Sequence, residues 1–469
     1  MNGGSAFWNG KDGCGTVGPV ALVFSGTGDA RLPSCLRVKN SASLSPIADP
    51  ARAGVATPLF SRWTNDLARR FVSAVLRPMH RGRLELVGPD GVMEVIGGGE
   101  PGPQARMEVR DPAFYRRCAM TGDVGFGEAY QAGEWETDDV YSVIAWFCAN
   151  TDSAPTMSGS KNQPWHLRVF SVANRARHWF NRNTLAGSRS NIHAHYDIGN
   201  AFYRLWLDPT MTYSAALFES PDQGLEAAQS AKYDRLCRQL RIQPGHEVLE
   251  IGSGWGGFTQ HAVQNYGCRV TTITLSVEQR DFARARFERE GIADRAEVLL
   301  LDYRKLPELG RRFDRIASIE MLEAVGDAYL ETYFDVCHRV MKPGGLFAAQ
   351  FITCPDSRYD ELRRGVDWIQ KHVFPGSLLL SLNRVNQAIA RTGRLQMHDL
   401  KDIGPDYART LRMWRERFNE ELDTVRAMGF DTRFIRTWNY YLAYCEAAFA
   451  WRNISVVQGL WTVPNNPTL

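Results

Sequence analysis

The chain has 469 residues, 44% of them apolar and 23% charged, with a formal net charge of +3. That length allows two or three domains with a sizeable core, and the near balance of charge gives no general nucleic-acid signal, so no nucleic-acid partner is expected. The cysteines, 9 in number and without a CxxC pair, fit reduced thiols in a cytoplasmic protein better than a disulfide framework or a zinc site, and no metal is expected.

Residues 1–58 are rich in Gly, Ser, Pro and Ala and show no sustained periodicity, which predicts a disordered leader or a start codon assigned too early. FSRWTNDLARRFVSAVLRP, from Phe60 to Pro78, carries apolar residues at helical spacing, and RLELVGPDGVMEVIGG alternates around PDG like a hairpin. GDVGFGEAYQAGEWETDDVYSVIAWFCAN reads as a turn-rich stretch leading into a helix. Residues 59–155 are therefore expected to form a small α+β domain whose aromatic residues are core. Between Asp152 and Asp197 there is no acidic residue, while Lys161, Arg168, Arg175, Arg177, Arg182 and Arg189 all fall there. This basic linker, 156–190, has two readings. One is a solvated face. The other is an interfacial helix, WHLRVFSVANRARHWF, that sets Trp165, Val169, Val172, Trp179 and Phe180 beside arginines for contact with anionic lipid. No run approaches the ~18 apolar residues of a membrane span, and the N-terminus lacks the regions of a signal peptide. Membrane contact is expected to be peripheral.

From Asn191 to the end, 191–469, strands at 247–251, 269–274, 296–300, 313–319 and 345–352 alternate with helical patterns, the rhythm of a doubly wound α/β sheet. Ligands bind such sheets at the carboxyl ends of the strands. There the first strand runs into VLEIGSGWGG, Val248 to Gly257, where glycines at 252, 254 and 257 permit positive φ and close ligand approach. GSGWGG satisfies the dinucleotide fingerprint GxGxxG, which expects an acid about 20 residues on to hold a ribose. The stretch CRVTTITLSVEQ, Cys268 to Gln279, offers Thr and Leu at that place, and Glu250 instead precedes the first glycine. An acid-first loop resembles motif I of S-adenosylmethionine (SAM) methyltransferases, so SAM is favoured over NAD.

Around this loop several residues could do chemistry. The third strand ends at LLLDYRKLP, placing Asp302 and Tyr303 at the same sheet edge, where Asp302 could accept from an adenine amino group. A plain loop acid is the alternative. The fourth ends at SIEMLEAVG, with Glu320 and Glu323 about one turn apart and both able to face the site. Upstream, NIHAHYDIGNAFYRLWLDPTMTYSAALFE is a candidate cofactor cover. His195 in it could be a base or a structural partner of its neighbours, and Tyr213 and Ser214 are candidate carboxylate or sulfonium contacts. The aromatic density matters, because a sulfonium can alkylate an uncharged double bond and aromatic faces can stabilise the carbocation that results.

HYDIGNAFYRLWLDPTMTYS, VLEIGSGWGGF, TLSVEQ, DYR, MLEAVG, the FPG segment and DYARTLRMWRERF, in this order, resemble the cyclopropane-fatty-acyl-phospholipid synthases and mycolic acid cyclopropane synthases. GFGEAYQAGEWETDD is similar to the small N-terminal domain of the longer bacterial members. The resemblance implies a Rossmann-like SAM-dependent methyltransferase fold with helical acyl-binding insertions. It also implies methylene transfer from SAM to a cis double bond of an unsaturated phospholipid at the inner face of the membrane, with a homodimer as a candidate assembly. It carries SAM contacts onto Tyr213, Ser214, Gly252, Ser253, Gly254, and Thr274, Leu275, Ser276 through Gln279. Glu323 matches a glutamate that helps hold bicarbonate, the family's proton acceptor. Cys445 matches a cysteine often labelled catalytic, although attack of an alkene on a sulfonium needs no covalent nucleophile, and packing is the alternative role.

The chain departs from the family at Ala215, where a cysteine is expected, at Gln350, where a histidine is expected, and at Arg415, read as standing where a tyrosine is expected. Glu323 and Ile352 keep the pattern. These changes suggest either an anion site rebuilt by Gln350 and Arg415 or a direct base at Glu320 or Glu323, and the position of the base decides between cyclopropane and branched products. A small-molecule methyltransferase and a catalytically silent lipid-binding protein are the readings from other classes.

Overall fold

The computed structural model describes residues 59–153, 198–467 and 469. The expected leader 1–58, the basic linker 156–190 and His195 lie outside the described residues.

The N-terminal part is α1 (Leu59–Leu76), β1 (Arg81–Val87), β2 (Met93–Gly97), β3 (Glu100–Val109), α2 (Ala113–Gln131), β4 (Trp135–Glu136) and α3 (Val140–Ala149). The hairpin read around PDG is present, with Leu84 opposite Ile96, and β3 joins β1 in parallel to give the order β2-β1-β3-β4. One expectation is corrected. The glycine-rich stretch from Gly122 is not a series of turns but the second half of α2, which bends at Gly122 (φ 61°). Its glycines serve packing: a Cβ on Gly127 would lie 2.5 Å from the Trp368 ring. The close approach of an indole explains why a residue with poor helix propensity stands there.

The remainder comprises α4 (Asn200–Trp206), α5 (Leu225–Gln239), β5 (Glu247–Ile251), α6 (Gly257–Tyr266), β6 (Arg269–Thr274), α7 (Val277–Arg289), β7 (Ala296–Leu300), β8 (Phe313–Ile319), α8 (Leu330–Val340) and β9 (Met341–Thr353). Then come α9 (Asp356–Arg364), α10 (Trp368–His372), α11 (Leu382–Thr392), β10 (Gln396–Asp402), α12 (Gly404–Glu420), α13 (Leu422–Ala427), α14 (Thr432–Ala450) and β11 (Ser455–Thr462). The sheet order is β10-β11-β9-β8-β5-β6-β7. β5 pairs in parallel with both β6 and β8, while β11 runs antiparallel to β9. The chain thus winds outward in both directions from β5, and the crevice at the carboxyl end of β5 is the switch point where such sheets take ligands. Val248, Leu249 and Ile251 are fully buried, as a central parallel strand covered on both faces requires.

Helices α9 to α11 are inserted between β9 and β10, and α12 to α14 between β10 and β11. α14 carries the N-terminal part, with Gln131 Nε2 donating to Thr437 Oγ1 at 2.8 Å and Arg436 ion-paired to Glu136 at 2.8 Å. Among the described residues no helix is long and apolar enough to cross a membrane.

Candidate active site

The glycine loop is pinned to the neighbouring strand before it reaches its ligand. Gly252 and Ser253 both donate their N–H to the Ile273 carbonyl of β6, at 3.0 and 2.9 Å, and Gly252 (φ 97°) turns the chain there. A Cβ on Gly254 would meet nothing within 4 Å, and one on Gly252 would face only Met321 at 3.6 Å. The backbone therefore lies under open space, a cradle that fits a SAM molecule set against the loop. Trp255 Nε1 donates to Asn200 Oδ1 at 2.7 Å, tying the loop to α4 of the covering segment.

Glu250 is buried beneath this loop and accepts from Thr259 Oγ1 at 2.6 Å, so it braces α6 against β5. Burial pushes its carboxyl up to about 7, against the pull of Thr259 and the Lys232 charge. At the end of β6, Thr274 Oγ1 donates to Gln279 Oε1 at 2.9 Å and accepts from the Ser276 N–H, while Ser276 Oγ caps α7. Leu275 is half-buried in this turn. Asp302 accepts from Arg304 Nε at 2.8 Å and Nη2 at 2.6 Å, a fork that sets the edge of β7, and Tyr303 beside it has a buried hydroxyl without a protein partner.

The covering segment brings Tyr213 into an aromatic box. Its ring centroid lies 5.3 Å from Trp206, 5.4 Å from Trp414, 5.6 Å from Tyr203 and 6.3 Å from Phe374, and its hydroxyl meets that of Tyr441 at 2.8 Å. Ser214 accepts from Lys232 Nζ at 2.7 Å. Lys232 is fully buried, and desolvation pulls its ammonium down to about 7 despite the opposing charges of Glu320, Asp208 and Glu250.

Beyond Ser214, the Ala215 N–H donates to Glu320 Oε1 at 2.8 Å. Gln350 Nε2 donates to the same oxygen at 2.8 Å, and Tyr407 Oη donates to Glu320 Oε2 at 2.9 Å. Glu320 is thus held by three separate segments. Glu323 stands alongside, accepting the Ile352 N–H on Oε1 while its Oε2 is buried without a protein partner. Burial, and next the neighbouring Glu320 charge, push the Glu323 carboxyl up to about 8. Burial also raises Glu320, but its three donors and Lys232 pull the other way. With its carboxyl raised to about 8, Glu323 is protonated at neutral pH, while the three donors on Glu320 favour the charged form of that carboxyl.

One residue is placed differently from expectation. Arg415 is not beside Gln350: it lies eight residues past Tyr407, about 12 Å along α12 at 1.5 Å per residue, with Nε 2.8 Å from the buried Glu446 and its guanidinium over Tyr141. The tyrosine of the acid pocket is Tyr407, which sequence reasoning missed. Its signal was present in the apolar face of α12, where Tyr407, Leu411, Trp414 and Phe418 recur at helical spacing and are all buried, while Arg415 follows Trp414 and turns off that face. Cys445, on α14, is partly buried, and desolvation pushes its thiol well up, away from the thiolate a nucleophile needs.

Comparison with known proteins agrees with this geometry. The family model described as mycolic acid cyclopropane synthetase matches residues 184–459. Tuberculostearic acid methyltransferase UfaA1 of Mycobacterium tuberculosis is 36% identical over 81% of this chain and 87% of its own. Cyclopropane-fatty-acyl-phospholipid synthase of Escherichia coli strain K12 is 34% identical over 80% and 91%. The structure of cyclopropane synthase MmaA2 from Mycobacterium tuberculosis superposes with a TM-score of 0.53 at 30% identity, covering 58% of this chain and 97% of that one. Mycolic acid cyclopropane synthase CmaA1, solved with S-adenosylhomocysteine (SAH) and CTAB, superposes with the same TM-score at 29% identity. With the glycine cradle at the switch point and this likeness along most of its length, the chain belongs to the mycolic acid cyclopropane synthetase family and is a SAM-dependent methyltransferase.

Proposed function

We propose that the protein adds a one-carbon unit from SAM to the cis double bond of an unsaturated acyl chain in a membrane phospholipid, giving a cyclopropane fatty acid. The observation that carries this reading is the aromatic box of Tyr203, Trp206, Tyr213, Phe374 and Trp414 beside the glycine cradle. SAM supplies an electrophilic methyl group. Facing an alkene, the ring faces stabilise positive charge on carbon as they do other cations, and the apolar walls exclude the water that would quench it. A small polar acceptor would not call for so apolar an enclosure.

The phospholipid is favoured by the name of the Escherichia coli relative and by an apolar hairpin tip. Val92, Met93 and Val95 are 58%, 53% and 46% exposed and give a surface for contact with a membrane. A methylene- or methyl-branched product is the second reading, favoured by the change at Gln350 and by the name of the tuberculostearic acid methyltransferase.

The test is incubation with labelled SAM and vesicles of unsaturated phospholipid, followed by mass spectrometry of the released fatty acids. The expected product gains one CH2 and loses its double bond to a ring. A gain of CH2 with an exocyclic or shifted double bond supports the branched reading, and unchanged acyl chains overturn both.

A further inference from the structure

We propose that the Glu320 carboxylate is the proton acceptor of the reaction, a built-in anion occupying the place where a dissolved bicarbonate would otherwise have to bind. This rests on the alkylation reading above.

The donors that would hold a small anion are already engaged. The Ala215 N–H, the Gln350 amide and the Tyr407 hydroxyl all point at Glu320. The orientation of that amide is fixed by a relay. Arg235 can only donate, and its Nη1 meets Gln458 Oε1 at 3.1 Å; Gln458 Nε2 then meets Gln350 Oε1 at 2.9 Å, which leaves the Gln350 NH2 for Glu320. Gln350 and Gln458 are both fully buried, so neither amide can turn without stranding a polar group. Bicarbonate therefore does not fit this pocket: its donors are spent on a carboxylate, and a second anion would meet that charge unpaired.

The backbone carries a separate sign of the same purpose. Glu320 adopts φ 50°, a left-handed conformation that is strained for a residue with a Cβ. Such strain persists where the surroundings fix the residue for a task. The turn brings the next residue, Met321, against Gly252 of the cofactor loop, so the carboxylate stands beside the cradle. Glu323 is the poorer acceptor: the Ile352 N–H donates to its Oε1, its Oε2 is buried without a protein partner, and burial keeps its carboxyl protonated.

In the step proposed, the alkene π pair forms the new C–C bond as the sulfonium–methyl bond breaks and its electrons remain on sulfur. A C–H bond of the added methyl then breaks. Its electron pair closes the ring onto the cationic carbon, and the proton passes to Glu320, which later releases it to solvent.

Two variants test this. Glu320→Gln keeps the shape and removes the basic charge; product formation should fall at least roughly 100-fold with SAM affinity unchanged. Glu320→Gly relieves the positive φ and vacates the carboxylate's place, leaving its donors free. That variant should be inactive alone, bind formate and 13C-bicarbonate in calorimetry and NMR, and regain activity when either is added. The wild type should bind neither anion and work equally in bicarbonate-free buffer. Glu320→Gln within threefold of wild type, a Glu320→Gly protein that binds no anion or is not rescued, or a wild type that needs bicarbonate each overturns the proposal. Should the wild type leave unsaturated vesicles unchanged, the alkylation reading fails, and anion binding by Glu320→Gly against wild type still decides what occupies the pocket.

Discussion

The glycine cradle and the acid pocket adjoin at Gly252 and Met321, yet they are built by opposite means. The cradle is backbone from one continuous segment, held by N–H bonds from Gly252 and Ser253 to a single carbonyl. The acid pocket is assembled from five separate segments, which supply the Ala215 N–H and the side chains of Glu320, Gln350, Tyr407 and Gln458. A backbone site depends on conformation and tolerates side-chain drift around it. A side-chain site depends on every donor being present, and one exchange changes what it can bind. The cradle should therefore govern SAM affinity and the pocket should govern turnover, and variants in each separate the two.

Beyond the Glu320 variants themselves, the largest effect is expected from Tyr407→Phe. The ring keeps its packing 4.5 Å from Phe449 but withdraws one hydrogen bond from a charged, buried carboxylate. Such bonds contribute about 1.5–3 kcal/mol, so turnover should fall roughly 10- to 100-fold while calorimetry gives an unchanged SAM affinity. A loss of SAM affinity with turnover preserved would break the division. Gly252→Ala is the converse. At φ 97° an added Cβ strains the loop, and SAM binding should weaken roughly tenfold with little change in the rate at saturating SAM.

The same contrast explains what was legible in the sequence. The cradle, the five parallel strands around it and the hairpin ahead of it could be read from contiguous patterns of apolar residues and glycines, because each is local, whereas β10 and β11, which complete the sheet, were not read. The acid pocket could not. Glu320 and Glu323 were visible as a pair of acids at a strand end, but nothing in their spacing tells which is bonded and which is protonated; that follows from Gln350, Tyr407 and the Arg235–Gln458 relay, far apart in the chain. Arg415 was misplaced because its motif was read by position rather than by helical face. The glycines of α2 were read as turns because their reason, the Trp368 ring, lies on a distant segment.

A smaller effect, on stability, sharpens the account of the Glu323 proton. The Glu323 carboxyl, at about 8 in the folded chain against an ordinary 4.5, is raised, so between these values the folded protein holds a proton that the unfolded chain has released. Its contribution is fully present below about 4.5 and is lost as pH rises through about 8, at about 1.4 kcal/mol per pH unit within that window. Glu323→Gln cannot ionise. Urea midpoints measured across this range should decline less steeply for the variant than for the wild type. Parallel curves would mean that Glu323 is already ionised at neutral pH and would remove the distinction drawn between the two acids.

The smallest change is expected at Cys445. It sits on α14 near Tyr407 and Tyr441, whose ionisation it opposes, so proximity to the pocket alone does not separate a reacting group from a packed one. The chemistry does. The alkene is itself the nucleophile, the proton has an acceptor in Glu320, and desolvation holds the Cys445 thiol neutral. Cys445→Ser keeps nearly the same volume and loses the polarisable sulfur, so turnover should stay within about threefold of wild type, with a modest drop in thermal stability from burying a hydroxyl. A fall of more than tenfold in turnover with SAM affinity intact would place sulfur in the reaction, and the division between a cofactor cradle and an oxygen-based acid pocket would have to be redrawn.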